Sequence, residues 1–196
     1  INRFLGGSMS GKEHVFSADS AYLSFELEAA KQHAYRAIYK AEANAQHDLV
    51  CNSYVILARI GFLQGDYEEM SRQIRNVEQY KEAVGSGVVK DIRDTGLAWY
   101  YVKLHDDKRI PKRLYTVNNE IRPLWAYGRS QLIYANHLIH AGEFAQLVGM
   151  LEYPKGPFLT QGISPDRIVL NIMLAIGYQH LKNPDAAMKA LWTAYD

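Results

Sequence analysis

The stretch Phe4 to Glu13 reads FLGGSMSGKE, and within it Gly6, Gly11 and Lys12 stand at the spacing of a phosphate-binding P-loop. That motif works because backbone amides at a helix start cradle the phosphates, a strand delivers the loop, and a hydroxyl after the lysine ligates magnesium. Here the hydroxyl position is Glu13, whose carboxylate would repel a triphosphate, and INRFL is too short to be the buried strand of a parallel sheet. The stretch therefore reads as a loop before a helix that begins near Ser10 to Glu13. His137 and His140, three residues apart, would place two imidazoles on adjacent helical turns, as metal ligands do, but a third ligand would have to come from a fold contact with His180. Glu68-Glu69, Asp106-Asp107 and the pair Glu26 and Glu28 fall at turns or helix starts, where carboxylates complement the helix dipole without doing chemistry. No serine, cysteine or lysine has a visible activating partner. These patterns predict no catalytic residue, no bound cofactor and no metal.

Composition narrows the classes further. The chain has 196 residues, 48% hydrophobic and 22% charged, with a net charge of +1, which describes an ordered protein without the basic surplus of a dedicated nucleic-acid binder. No apolar run approaches the roughly 18 residues needed to span a bilayer, and Ile1 onward lacks the regions of a signal peptide. The expectation is a cytoplasmic protein with no membrane partner. The single cysteine, Cys51, excludes an internal disulfide and a cysteine-based zinc site, and its neighbours Val50, Tyr54 and Val55 predict a buried thiol. Ile1 at one end and LWTAYD at the other give the expectation of a segment cut from a larger protein.

The elements that must position any site emerge from comparing the chain with itself. LARIGFLQGDYEEMSRQI (Leu57 to Ile74), YANHLIHAGEFAQLVGML (Tyr134 to Leu151) and LAIGYQHLKNPDAAMKAL (Leu174 to Leu191) share a small residue (Ala58, Ala135, Ala175), a short polar break, and renewed helical periodicity. Apolar residues at spacings of three and four, such as Tyr54, Leu57, Ala58 and Gly61 followed by Met70, Ile74 and Val77, define one helix face on each side of the break. The unit is a helical hairpin. TGLAWYYVKLHDDKRIPKRLY supplies another, its second helix shortened around Pro111, and SAYLSFELEAAKQHAYRAIYKA the first, with Ala30, Ala34, Ala37 and Ala41 as its seam. Corresponding breaks fall near Phe25, Gly65, His105, Gly142 and Lys182, a period of about 37 to 40 residues, longer than the roughly 34 of a tetratricopeptide (TPR) repeat. Ser164-Pro165-Asp166 marks a helix start, and Tyr153 to Gly162 a loop. The predicted fold is all-α, a right-handed superhelix of about five TPR-like hairpins spanning 10–45, 46–85, 86–120, 122–155 and 164–196 in one domain.

AAKQHAYRAIYKAEANAQHDLVCNSYVILARIGFLQGDYEEM resembles the central helical-repeat region of the MalT-like, LuxR-type transcriptional regulators. The residues that carry the resemblance are Ala34, Tyr35, Ala37, Tyr39, Lys40 and Ala41, then Leu57 to Ile60, then Gly65 to Tyr67. It continues through Ile110-Pro111 and Ala141 to Phe144 and so covers nearly the whole chain. The resemblance implies a signal-receiving domain flanked in the parent protein by an ATPase switch and a DNA-binding helix-turn-helix. ATP and DNA would be bound only by those flanking parts, while the repeat region would bind a small effector or a regulatory protein. A free-standing adaptor that binds proteins is the alternative.

In such stacks the first helices of successive units line a concave face. Residues on them that point away from the seam are the candidate ligand or partner site: Asn52, Arg59, Thr95, Trp99, Arg129, Asn136 and His140. An indole beside guanidinium and amide groups suits a sugar, a nucleotide-like ring or a peptide. Tyr101 falls on the apolar seam and reads as core; Trp99 fits either a core or a binding surface. Exposed end repeats would leave an apolar face through which two copies could pair.

Overall fold

A computed structural model describes residues 11–81, 87–110, 114, 124–152 and 165–195. Among them all regular structure is helical and no strand occurs. The α-helices are α1 (Lys12–Leu23), α2 (Leu27–Glu42), α3 (His47–Gln64), α4 (Tyr67–Glu78), α5 (Gly87–Lys103), α6 (Leu124–Ala141), α7 (Phe144–Glu152), α8 (Pro165–His180) and α9 (Pro184–Tyr195), with short 3-10 turns at Gln79–Lys81 and Asp107–Arg109. No described helix is long and apolar enough to cross a membrane. Ser164 and the expected loop from Tyr153 to Gly162 lie outside the described residues, as does Pro111, whereas Ile110 and Leu114 on either side of Pro111 are buried.

The chain reverses by one recurring device. Phe25, Gly65, His105, Gly142 and Lys182 all take the left-handed conformation, with φ between 55° and 75°, and Ala45 between α2 and α3 does the same at 51°. These are the five breaks that the self-comparison marks, plus one between hairpins. At each, the left-handed residue's amide donates to the carbonyl three residues back and the following amide to the carbonyl five back from itself. At Gly65 these bonds run to Phe62 O at 3.1 Å and from Asp66 to Gly61 O at 2.8 Å. The geometry closes the last helical turn and satisfies carbonyls that would otherwise be orphaned. The next helix then starts on a side-chain cap where the residue allows it. Asp66 Oδ1 accepts from Glu69 N–H at 2.9 Å, and Asn183 Oδ1 from Ala186 N–H at 3.2 Å.

Two compact units divide between Leu97 and Ala98. In the first, α1 pairs with α2 and α3 with α4, while α3 packs on both α1 and α2. Ala30, Ala34, Ala37 and Ala41 are fully buried with Val15, Ile56, Leu57 and Ile60, so the predicted alanine seam is a real one. Contact between helices is set by residues without bulk. A Cβ on Gly61 would stand 2.9 Å from Met70 N, and one on Gly11 only 2.8 Å from Ala37 O. Gly11 is right-handed (φ −60°) and leads directly into α1. Lys12 lies with Nζ 5.9 Å from the Phe16 ring centroid, and Glu13 pairs with Lys40 at 3.5 Å. The glycine of the P-loop spelling thus serves the α1–α2 contact; Gly6 lies outside the described residues.

The second unit holds the pairs α6 with α7 and α8 with α9, and α8 packs on α6 and α7. Its core gathers Ala135, Leu138, Leu147, Leu151, Leu170 and Met173. Gly149 on α7 instead faces open space, with nothing within 4 Å of an added Cβ. Helix propensity favours alanine over glycine by up to about 1 kcal/mol at either site, but overpacking against backbone costs about 1–3 kcal/mol. Gly149→Ala should therefore raise the urea midpoint while Gly61→Ala lowers it; a rise for both would show that α3 and α4 are not held at the observed distance.

Candidate functional site

The seven predicted site residues divide between the units. Asn52 and Arg59 lie half-buried on α3, about two turns apart on one face. Thr95 on α5 is buried, and its Oγ1 lies 2.7 Å from Asp91 O and 3.0 Å from Ile92 O, so the hydroxyl is spent on its own helix. In the second unit Trp99 is half-buried, and Asn136 Nδ2 donates to Leu132 O at 2.8 Å, again within its own helix. Arg129 belongs to the first turns of α6, whose side chains lie outside the described residues. Tyr101 is buried, as its seam position predicts, with the Arg109 guanidinium 4.4 Å from its ring centroid.

His140 is the predicted residue that lines a cleft. It lies in the last turn of α6, exposed, and its ring centroid stands 4.5 Å from that of His105, with the rings tilted by 38°. Together with Asp106 and Lys108 these two imidazoles line an open cavity of about 470 Å³. Three pieces of local structure build it. The left-handed turn after α5 presents His105, the next residue is Asp106, whose amide closes that turn onto Tyr101 O at 2.9 Å, and the short 3-10 turn carries Lys108. Sequence reasoning missed His105, Asp106 and Lys108, because HDDK at a break looks like any solvated turn. The one available signal was a histidine at the place where the other units carry phenylalanine, glycine or lysine.

An ammonium and two imidazoles supply donors for an acidic group, while the Asp106 carboxylate can accept from a hydroxyl or amine on the same molecule. His180 stacks on Phe144, with ring centroids 3.9 Å apart and planes within 2°, and His137 lies alongside Tyr134. Among the described residues no three of His, Cys, Asp and Glu are placed to hold a metal ion.

Three buried groups, Cys51, Glu69 and Asp94, are committed to structure. Burial pushes the Cys51 thiol up to about 12, which leaves it protonated and inert near neutral pH. Glu69, read from sequence as a turn carboxylate, is buried; it pairs with Arg72 and accepts from Gln73 Nε2 at 2.9 Å and from Tyr35 OH at 3.2 Å, linking α4 to α2. Asp94, also buried, pairs with Arg93 at 2.7 Å.

Scans of protein-family models, of curated proteins and of solved structures return no match to this chain.

One further histidine pair has a measurable consequence. His14 on α1 and His33 on α2 meet Nδ1 to Nδ1 at 3.3 Å, a contact that needs a proton on one nitrogen and a lone pair on the other. Burial, then the Lys40 charge, holds the His14 imidazole below its ordinary value of 6.5. The unfolded chain therefore takes up this proton more readily, so the contribution is intact above pH 6.5 and is lost as pH falls from there through the folded value. Urea midpoints measured from pH 8 to pH 5 should decline in that window, and His14→Gln should flatten the decline. An unchanged slope in the variant would assign it to other groups.

Proposed function

We propose that this chain is a non-catalytic receiving module, which binds an effector bearing an acidic group in the cleft of His105, Asp106, Lys108 and His140. The observation that carries this reading is the convergence of two imidazoles and an ammonium on an open cavity of about 470 Å³. The larger setting is the one the sequence resemblance implies. The hairpins stack as a right-handed TPR-like superhelix, within a cytoplasmic MalT-like, LuxR-type regulator whose ATPase and DNA-binding parts lie outside these residues. The recurrence of one left-handed turn at five matching positions supports the stacking, since identical reversals at near-constant intervals lay successive hairpins in parallel. Occupancy of the cleft would be relayed through the stack to those parts.

The adaptor reading draws on different residues. Phe25 and Tyr39 present large aromatic side chains to solvent at the α1–α2 turn and on α2, as protein-binding surfaces do.

Calorimetric titration with inorganic phosphate, citrate and glucose 6-phosphate tests the cleft. A charge-assisted hydrogen bond contributes about 1.5–3 kcal/mol, so Lys108→Ala and His140→Ala should each weaken binding of a responding anion by roughly tenfold or more. Binding that both substitutions leave unchanged would refute the assignment. Silence from all three anions, together with capture of a protein partner that Tyr39→Ala abolishes, would favour the adaptor.

A further inference from the structure

The exposed apolar face of α8 and α9 fits a specific occupant, which the chain's own internal correspondence identifies. Aligning Gly65 with Lys182 matches the left-handed turns, and it simultaneously matches the caps Asp66 and Asn183 and their bonds to Glu69 and Ala186. In this register Cys51, Val55 and Ile74 of α3 and α4 correspond to Ile168, Ile172 and Leu191 of α8 and α9. The first three are 0%, 2% and 2% exposed; their counterparts are 38%, 41% and 44% exposed.

Part of the first set, Cys51 and Val55, is covered from a known direction. Val55 sits against Gly96 of α5, so closely that a Cβ there would lie 2.6 Å from Val55 Cγ2. The charges of Arg93 and Asp94 on the same helix act on the Cys51 thiol. The position of Ile74 is equally informative in the other hairpins. Its counterparts Ala34, behind which α3 packs, and Leu151, which shares a core with Leu170 and Met173 of α8, are both buried. In both of these hairpins the helix that seals this position belongs to the next hairpin along the chain. On α9 the same position is open, and Met188, Trp192 and Tyr195 extend the exposed surface around it. Apolar side chains in this number and continuity are costly to leave in water.

We infer that the α8–α9 face is the seat of a further two-helix unit of the same kind, carried by the same polypeptide, whose first helix crosses Ile168 and Ile172 as α5 crosses Cys51 and Val55. None of these residues lines the His105–His140 cleft, so the inference stands or falls apart from the effector reading.

The experiment extends the expressed chain past Asp196 by the next 40 or so codons of its gene and compares it with the 196-residue chain. The extension should raise Tm by roughly 5 °C or more, consistent with a few kcal/mol of added stability, and should slow amide exchange in α8 and α9. Ile172→Glu, at a solvent-facing site in the shorter chain, should leave that chain folded by circular dichroism yet abolish the gain in the longer one. A gain that survives Ile172→Glu would place the added residues elsewhere. An extension that changes neither Tm nor exchange, or a gene with no two amphipathic helices at that point, would overturn the inference. So would a 196-residue chain that is a dimer through this face and remains one when extended.

Discussion

A helix that ends so that the chain can reverse must satisfy its last carbonyls without continuing, and among the described residues one pair of backbone hydrogen bonds does so six times. The left-handed residue costs about 1–2 kcal/mol when it is not glycine. An intramolecular hydrogen bond contributes about 0.5–1.5 kcal/mol net, and two such bonds are made at each turn. The bonds offset the penalty, which is why phenylalanine, alanine, histidine and lysine occupy four of the six positions without altering the turn. The constraint acts on the backbone, and side-chain identity there is left open for other uses.

With the reversals set, the distance between helices is the next quantity to be determined. Gly61, the four buried alanines of α2 and Gly96 bring backbones and side chains close enough that a single added carbon meets an atom at under 3 Å at either glycine. Interiors packed at this density transmit small changes instead of absorbing them. That property makes volume changes along the seam costly.

Much of this architecture was legible in the sequence, since both the spacing of small residues and the polar breaks are local patterns. The breaks at Gly65 and Gly142 announce themselves, and Phe25, His105 and Lys182 follow once the period is known. The site was less accessible for two physical reasons. Helical spacing says which face a residue occupies but not where its polar atoms turn, and Thr95 and Asn136 direct theirs to carbonyls of their own helices. The cleft also depends on two helix ends meeting: His105 and His140 are far apart in the chain, and only the packing that brings the ends of α5 and α6 together makes them neighbours. The P-loop spelling misleads for a related reason, because Gly11 answers to a contact with α2 that no local motif records.

His105 combines a demand of the backbone with one of the side chain. Glycine would relax its left-handed φ of 55°, and asparagine would fit it better than most residues, yet either would remove the imidazole from the cleft. Backbone ease and the cleft's imidazole therefore pull this one codon in opposite directions. A glycine at this turn would hold the same two backbone bonds with less strain but would leave the cavity wall one ring short.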